Sequence, residues 1–138
     1  MKAGIFSALI VVSAVGLILA AQTFRPQAPA LTTGIPLRMT IEGSGWTIAY
    51  SSNDTRNNTV HLFLIEAART LHFGLVWANW SAPYSAVFIE GINGSINGEG
   101  GRWWVFWVDG VYASTAADLT VLHGGETVLW RFTTPEGG

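Results

Sequence analysis

The spacing of apolar residues along this chain changes between the period of a strand and that of a helix. Residues 37–42 and 46–51 alternate apolar with polar positions on either side of Gly43-Ser44-Gly45, which predicts a β-hairpin. After a polar loop, residues 60–71 carry apolar side chains at helical intervals, and Thr59 stands where a helix N-cap is expected. The pattern therefore predicts one hairpin followed by one amphipathic helix.

The rest of the chain is predicted to form strands. Residues 73–77 read as a short extended piece and residues 84–92 as a strand, whereas the glycine-rich residues 93–101 indicate a loop. Residues 119–122 and 127–132 are predicted to close the domain as a second hairpin. This order of elements predicts an α+β fold in which one helix lies on one mixed sheet.

The most apolar strand is predicted at residues 103–108, Trp-Trp-Val-Phe-Trp-Val, ending at an Asp109-Gly110 turn. Successive side chains in a strand point to opposite faces. The six residues therefore divide into Trp103, Val105 and Trp107 on one face and Trp104, Phe106 and Val108 on the other. Both faces are apolar, so both need a cover. Either both covers are internal, or the second is a binding partner.

The first 24 residues form a separate segment, in which Lys2 precedes an apolar run over residues 5–21. This layout is typical of a secretory signal or of a short membrane anchor. We expect a retained anchor, a Pro-containing linker over residues 25–36, and a domain over residues 37–134 at the cell surface. The start of the chain also resembles archaeal type IV pilins, which would place the apolar helix in a filament.

Four of the six asparagines stand in Asn-X-Ser/Thr sequons, at Asn53, Asn57, Asn79 and Asn93. About one would be expected by chance at ordinary serine and threonine usage. The excess predicts N-glycosylation of an exported protein. The alternative is that these residue types simply concentrate in turns.

Composition and motif spacing argue against several functions. The net charge of −2 offers no basic surface for phosphates, so we expect no nucleic-acid partner. The chain has no cysteine, its three histidines are scattered, and Ser44 does not lie in a nucleophile-elbow motif. We therefore expect neither a metal site nor an enzyme.

Four segments in order resemble the transcobalamin-like C-terminal domain family: residues 60–69, 89–94, 103–110 and 122–130. They correspond to that family's helix opening, its Ile-Asn-Gly turn, its Trp-x-x-x-Val-Asn-Gly strand and its Gly-Asp-x-Val-x-Trp strand. Asp109 replaces the usual Asn, and Glu126 replaces the usual Asp. The resemblance spans residues 37–132 and implies a β-grasp-like fold, an extracytoplasmic location and a corrinoid or other small ligand.

The aromatic surface carries the functional prediction. Seven tryptophans in 138 residues exceed what a core usually requires. We expect five aromatic residues to form the binding surface: Trp103, Trp104, Trp107, Tyr112 and Trp130. The first expectation is a protein partner or self-association through these residues. The alternative is a small flat ligand, either a saccharide or a corrinoid. No resident cofactor is expected, because the helical domain that sandwiches cobalamin in the vitamin carriers has no counterpart in this sequence.

Overall fold

A computed structural model of the chain describes residues 33–81 and 85–135. In chain order the elements are β1 Ile35–Glu42, β2 Thr47–Thr55, α1 Val60–Leu71, β3 Leu75–Trp80, β4 Ala86–Ile92, β5 Ser95–Ile96, β6 Trp103–Val108, β7 Val111–Tyr112 and β8 Thr127–Thr133. The predicted anchor and most of the predicted linker lie outside the described residues. Within the described ranges, no helix has the length and apolar character that a membrane crossing requires.

The strands form two sheets. The larger sheet has the order β2-β1-β8-β6-β7, and the smaller has the order β3-β4-β5. Strands β1 and β8 are parallel, and all other neighbours are antiparallel. With 49% of the residues in strands and one α-helix in the described part, the fold is mostly β. The prediction of an α+β, β-grasp-like domain with a single sheet is therefore wrong.

The second sheet arises because the chain between β4 and β6 does not form a tight hairpin. Four glycines of residues 94–101 have positive φ and turn the chain through an irregular loop. At the base of this loop the Asn97 side chain takes the place of ladder hydrogen bonds. Its Nδ2 donates to the Ile89 carbonyl, and its Oδ1 accepts from the Trp104 N–H, both at 2.8 Å. One side-chain amide thus holds β4 beside β6.

The local predictions agree with the structure in three places. The first hairpin pairs β1 with β2 in antiparallel register. The Thr59 hydroxyl caps α1 by accepting the Leu62 N–H at 3.1 Å. Asp109 and Gly110 have φ values of 49° and 79°, as a two-residue hairpin turn of the favoured hand requires.

The predicted closing hairpin is wrong. Residues 119–122 contribute one isolated bridge, between Val121 and Thr59, and no strand. Strand β8 instead lies between β1 and β6, and its alternate residues Val128, Trp130 and Phe132 are buried. The core therefore lies between the inner face of the large sheet and α1, with β4 of the small sheet closing one side.

A carboxylate cluster fastens α1 to the end of β2. The Glu66 carboxylate accepts hydrogen bonds from the Tyr50 hydroxyl at 2.5 Å, from the Asn57 amide at 2.7 Å and from the Thr55 hydroxyl. Burial alone would raise the pKa of Glu66, but the three donors outweigh it and hold the pKa below its usual value of 4.5. Desolvation, followed by the hydrogen bond to Glu66, raises the pKa of Tyr50.

Because the pKa of Glu66 is lower in the folded state, its contribution to stability is present above pH 4.5 and is lost as the pH falls through the folded-state pKa. We expect Glu66→Gln to lower the unfolding free energy by about 1 kcal/mol at pH 7 and to flatten its fall between pH 5 and pH 3, since a neutral amide accepts hydrogen bonds more weakly. Urea unfolding at several pH values measures both effects. Asp54→Asn, at an exposed position, is the control. An unchanged pH slope in Glu66→Gln would contradict the assignment.

Candidate ligand-binding cleft

A cavity of about 360 Å³ opens between β4 of the small sheet and β6 of the large one. We call it the inter-sheet cleft. It is lined by Trp80, residues 86–89, residues 104–106, Tyr112, Ala113, residues 115–117 and Trp130. None of these described lining residues carries a charged side chain. The lining is therefore apolar and largely aromatic, as is typical of small-molecule sites.

Polar side chains hold β4 at two points and fix this wall of the cleft. The Asp118 carboxylate accepts the Val87 N–H at 3.0 Å, which ties the 3-10 turn Ala117–Leu119 to the start of the strand. At the middle of the strand, the Asn97 side chain links Ile89 to Trp104. These hydrogen bonds fix the position of β4 relative to β6 and to the turn at residues 117–119.

Packed aromatic rings form the opposite wall and the floor. The ring centroids of Trp130 and Phe106 lie 4.7 Å apart, and those of Trp104 and Phe132 lie 5.0 Å apart. The Trp104 Nε1–H donates to the Ser95 carbonyl at 2.8 Å. Trp130 is 2% exposed, and its Nε1–H has no acceptor within the described ranges. These packed rings form the base of the cleft, and the Trp130 indole N–H is a hydrogen-bond donor there without an acceptor.

The five residues predicted to form one binding surface lie on two surfaces. Trp104 and Trp130 line the cleft, whereas Tyr112 borders it but lies opposite Trp107 in the strand register. Trp103, at 40% exposure, and Trp107 lie on the opposite, outer face of the large sheet, as the alternation along β6 predicts. The surface therefore cannot act as a single patch.

The outer face is partly covered by the chain itself. The Arg131 guanidinium lies 5.2 Å from the centre of the Trp107 ring and pairs with the Glu42 carboxylate at 2.8 Å. The Tyr112 ring packs edge-on against Trp107 at 5.5 Å. Trp103 is the most exposed aromatic residue of β6.

The sequence analysis did not identify several residues that line the cleft. Trp80 and Phe88 line the cleft, are 57% and 40% exposed, and have ring centroids 5.7 Å apart with the rings tilted by 49°. Residues 113–117 carry small side chains without periodicity, so no pattern marked them as a wall. The alternation of residues 84–92 was a usable signal, because it places Phe88 on the face opposite Val87 and Ile89.

The other predicted sites have simpler surroundings. Asn53, Asn79 and Asn93 are exposed, whereas the half-buried Asn57 donates to Glu66. In the part of the chain that the structure describes, no three histidine or acidic side chains lie close enough together to hold a metal ion.

Comparisons with known proteins show the type of fold. A family model described as a domain of unknown function, DUF4430, matches residues 75–134. A crystal structure of haptocorrin in complex with Cbi is similar over 89% of this chain, with a TM-score of 0.59 and 21% identity, and the match covers 28% of haptocorrin. A protein from Ruminococcus gnavus, whose description suggests metal binding, is similar over 72% of this chain and 97% of its own, with a TM-score of 0.54 and 16% identity. No curated protein matches this chain in sequence.

The likeness to haptocorrin and the DUF4430 match support the transcobalamin-like type of fold that the four motifs indicate. Both solved structures are under 25% identical to this chain, so they inform the fold alone. Function has to be argued from the residues of the cleft.

Proposed function

We propose that this domain binds a small organic molecule in the inter-sheet cleft and does not transform it. The observation that carries the proposal is an apolar, aromatic-lined cavity of about 360 Å³ between β4 and β6. Pockets of this kind and size are the usual sites of small ligands. The absence of a charged side chain from the described lining supports binding rather than acid-base or nucleophilic catalysis.

The same geometry favours a small ligand over the protein partner that the sequence first suggested. Asn97 and Asp118 hold the β4 wall of the cleft in place. Ligand binding there therefore costs little conformational entropy. On the outer face, Arg131 already stacks on Trp107. A protein partner at the exposed Trp103 is the second candidate, and concentration-dependent sedimentation that Trp103→Ala abolishes would favour it.

We further propose that the chain is a member of the transcobalamin-like group. The four motifs and the fold likeness to haptocorrin, which was crystallised with Cbi, support this relationship. A corrinoid is accordingly one ligand to test, and a cavity of this size would take an edge of it rather than the whole ring. Export, anchoring through residues 5–21 and glycosylation at Asn53, Asn57, Asn79 and Asn93 complete the proposal. The apolar run and the sequons support these last points.

Filling the cleft with one side chain is the test. We expect Ala116→Phe to weaken binding of the neutral fluorescent probe N-phenyl-1-naphthylamine to the full chain by at least about tenfold, because the added ring occupies space that the probe needs. Fluorescence titration measures the dissociation constant. Ala49→Phe adds the same ring at an exposed position of β2 and should leave the constant unchanged. Equal binding by both variants would overturn the proposed site.

A further inference from the structure

One polar group at the base of the inter-sheet cleft has no hydrogen-bond partner. Trp130 lines the cleft and is 2% exposed, and its Nε1 atom is shielded from bulk water. Within the part of the chain that the structure describes, no acceptor lies within hydrogen-bonding distance of this N–H. A buried indole N–H is costly to leave unpaired and usually has a partner. The base of the cleft therefore holds a donor that neither the protein nor bulk solvent satisfies.

The other donor side chains of the lining are already paired or lie in contact with solvent. The Trp104 Nε1–H donates to a backbone carbonyl at 2.8 Å. The Thr115 hydroxyl lies 2.8 Å from that of Thr120, whose single proton goes to a backbone carbonyl, so Thr115 is the donor between them. Trp80 and Tyr112 are at least half exposed. Among the lining side chains that the structure describes, Trp130 is thus the one with a buried, unpaired donor.

The surroundings of the Trp130 N–H determine which chemical group suits it. An indole N–H donates and does not accept, so its partner has to be an acceptor. The described lining has no charged side chain, so a carboxylate or phosphate at the base would lose its hydration without gaining a counter-charge. A neutral carbonyl oxygen loses far less hydration and gains a hydrogen bond from the indole. The base of the cleft therefore suits a neutral acceptor.

We propose that Trp130 selects, for the inter-sheet cleft, neutral ligands that carry a carbonyl oxygen at the end seated on the base. The oxygen accepts the Trp130 Nε1–H, and the apolar remainder of the molecule packs against the aromatic lining, including Phe88 and Phe106. A hydrocarbon of the same shape fills the cleft but leaves the indole N–H unpaired. This selection rests on the proposed function and specifies its ligand class.

A matched pair of ligands tests this selection. Butyrophenone and butylbenzene share one carbon skeleton and differ by a carbonyl in place of a methylene group. Each is titrated against the full chain carrying N-phenyl-1-naphthylamine, and displacement of the probe gives the dissociation constant. Because the hydrocarbon gains more on leaving water, the ratio of the two constants is compared between the parent chain and Trp130→Phe, which keeps an apolar ring without the N–H. We expect the relative affinity for the ketone to fall about fivefold to tenfold in Trp130→Phe, as the loss of one buried hydrogen bond predicts. Trp103→Phe, the same change on the outer face, should leave the ratio unchanged.

The indole signal of Trp130 gives a second readout that needs no variant. In ¹H–¹⁵N spectra of the parent chain, the Trp130 indole proton should move further downfield with butyrophenone than with butylbenzene, because only the ketone accepts its hydrogen bond. If Trp130→Phe does not fold, this comparison alone decides.

The outcomes separate this inference from the function it rests on. If the indole proton responds equally to both compounds and Trp130→Phe leaves the ratio unchanged, carbonyl selection is wrong, and small-ligand binding in the cleft stands. If neither compound displaces the probe up to its solubility limit, or Ala116→Phe binds both as the parent chain does, the cleft is not a ligand site and both proposals fail. A ratio that falls in Trp130→Phe but not in Trp103→Phe supports both.

Discussion

Replacing Trp104 with alanine is expected to lower the free energy of unfolding by about 3–5 kcal/mol, the range of large-to-small changes in a core. Trp104 is 5% exposed, packs against Trp46 and Phe132 with ring centroids 5.9 and 5.0 Å away, and bonds to the Ser95 carbonyl. Its removal leaves a cavity beside the cleft and an unpaired carbonyl. Urea unfolding followed by circular dichroism measures the loss.

The neighbouring tryptophan is the matched control. Trp103→Ala removes the same side chain one residue earlier in β6, but from the outer face, where it is 40% exposed. We expect a loss below about 1.5 kcal/mol, because only part of its surface is buried. Similar losses for the two variants would mean that both faces of β6 are core, and the division of the aromatic residues between two surfaces would be wrong.

The second large effect is expected at Asn97. Asn97→Ala leaves the Ile89 carbonyl and the Trp104 N–H unpaired in residues that are 4% and 5% exposed. At about 1–3 kcal/mol for each unsatisfied buried group, partly relieved by water, the expected loss of unfolding free energy is about 2–4 kcal/mol. Because Asn97 also sets the separation of β4 and β6, the variant should bind N-phenyl-1-naphthylamine more weakly at a temperature where it is still folded.

Two further variants make the Asn97 result interpretable. Asn97→Asp keeps an acceptor for the Trp104 N–H but places an oxygen against the Ile89 carbonyl, so it should restore at most part of the lost stability. Asn53→Ala changes an exposed asparagine and should stay within about 0.5 kcal/mol of the parent chain. An Asn97→Ala variant as stable as Asn53→Ala would show that the amide bridge does not hold the sheets together.

The features that the sequence predicts correctly are those decided by neighbouring residues. The first hairpin depends on alternation around a glycine turn, the helix on a 3.6-residue period after Thr59, and the second turn on Asp109-Gly110. In each case the signal and the structure it specifies lie within a few residues of one another.

The division into two sheets depends on contacts that no local pattern shows. In the sequence, Asn97 is one polar residue of a glycine-rich loop. In the structure its side-chain amide bridges β4 and β6, which do not pair directly with each other. Strand β8 likewise pairs with β1 and β6, and not with the residues that precede it in the chain. Pairing between distant strands is set by packing, which periodicity does not encode.

The cleft could be predicted only in part for the same reason. Alternation along β6 separates Trp104 from Trp103, but it does not reveal that Trp130 lies with Trp104 at the cleft. The wall formed by residues 113–117 comes from a loop of small side chains. Its position depends on the Asp118 hydrogen bond to Val87, an interaction across 31 positions in the chain.

The most direct test of the inter-sheet cleft as the binding site uses the indole N–H signals of the seven tryptophans. Assigned ¹H–¹⁵N spectra of the full chain, recorded while N-phenyl-1-naphthylamine is added, report each aromatic surface separately. The cleft assignment predicts shifts for Trp80 and Trp130, which line it, and none for Trp103 on the outer face. Shifts at Trp103 with Trp80 and Trp130 unchanged would place the ligand on the outer face and contradict the account.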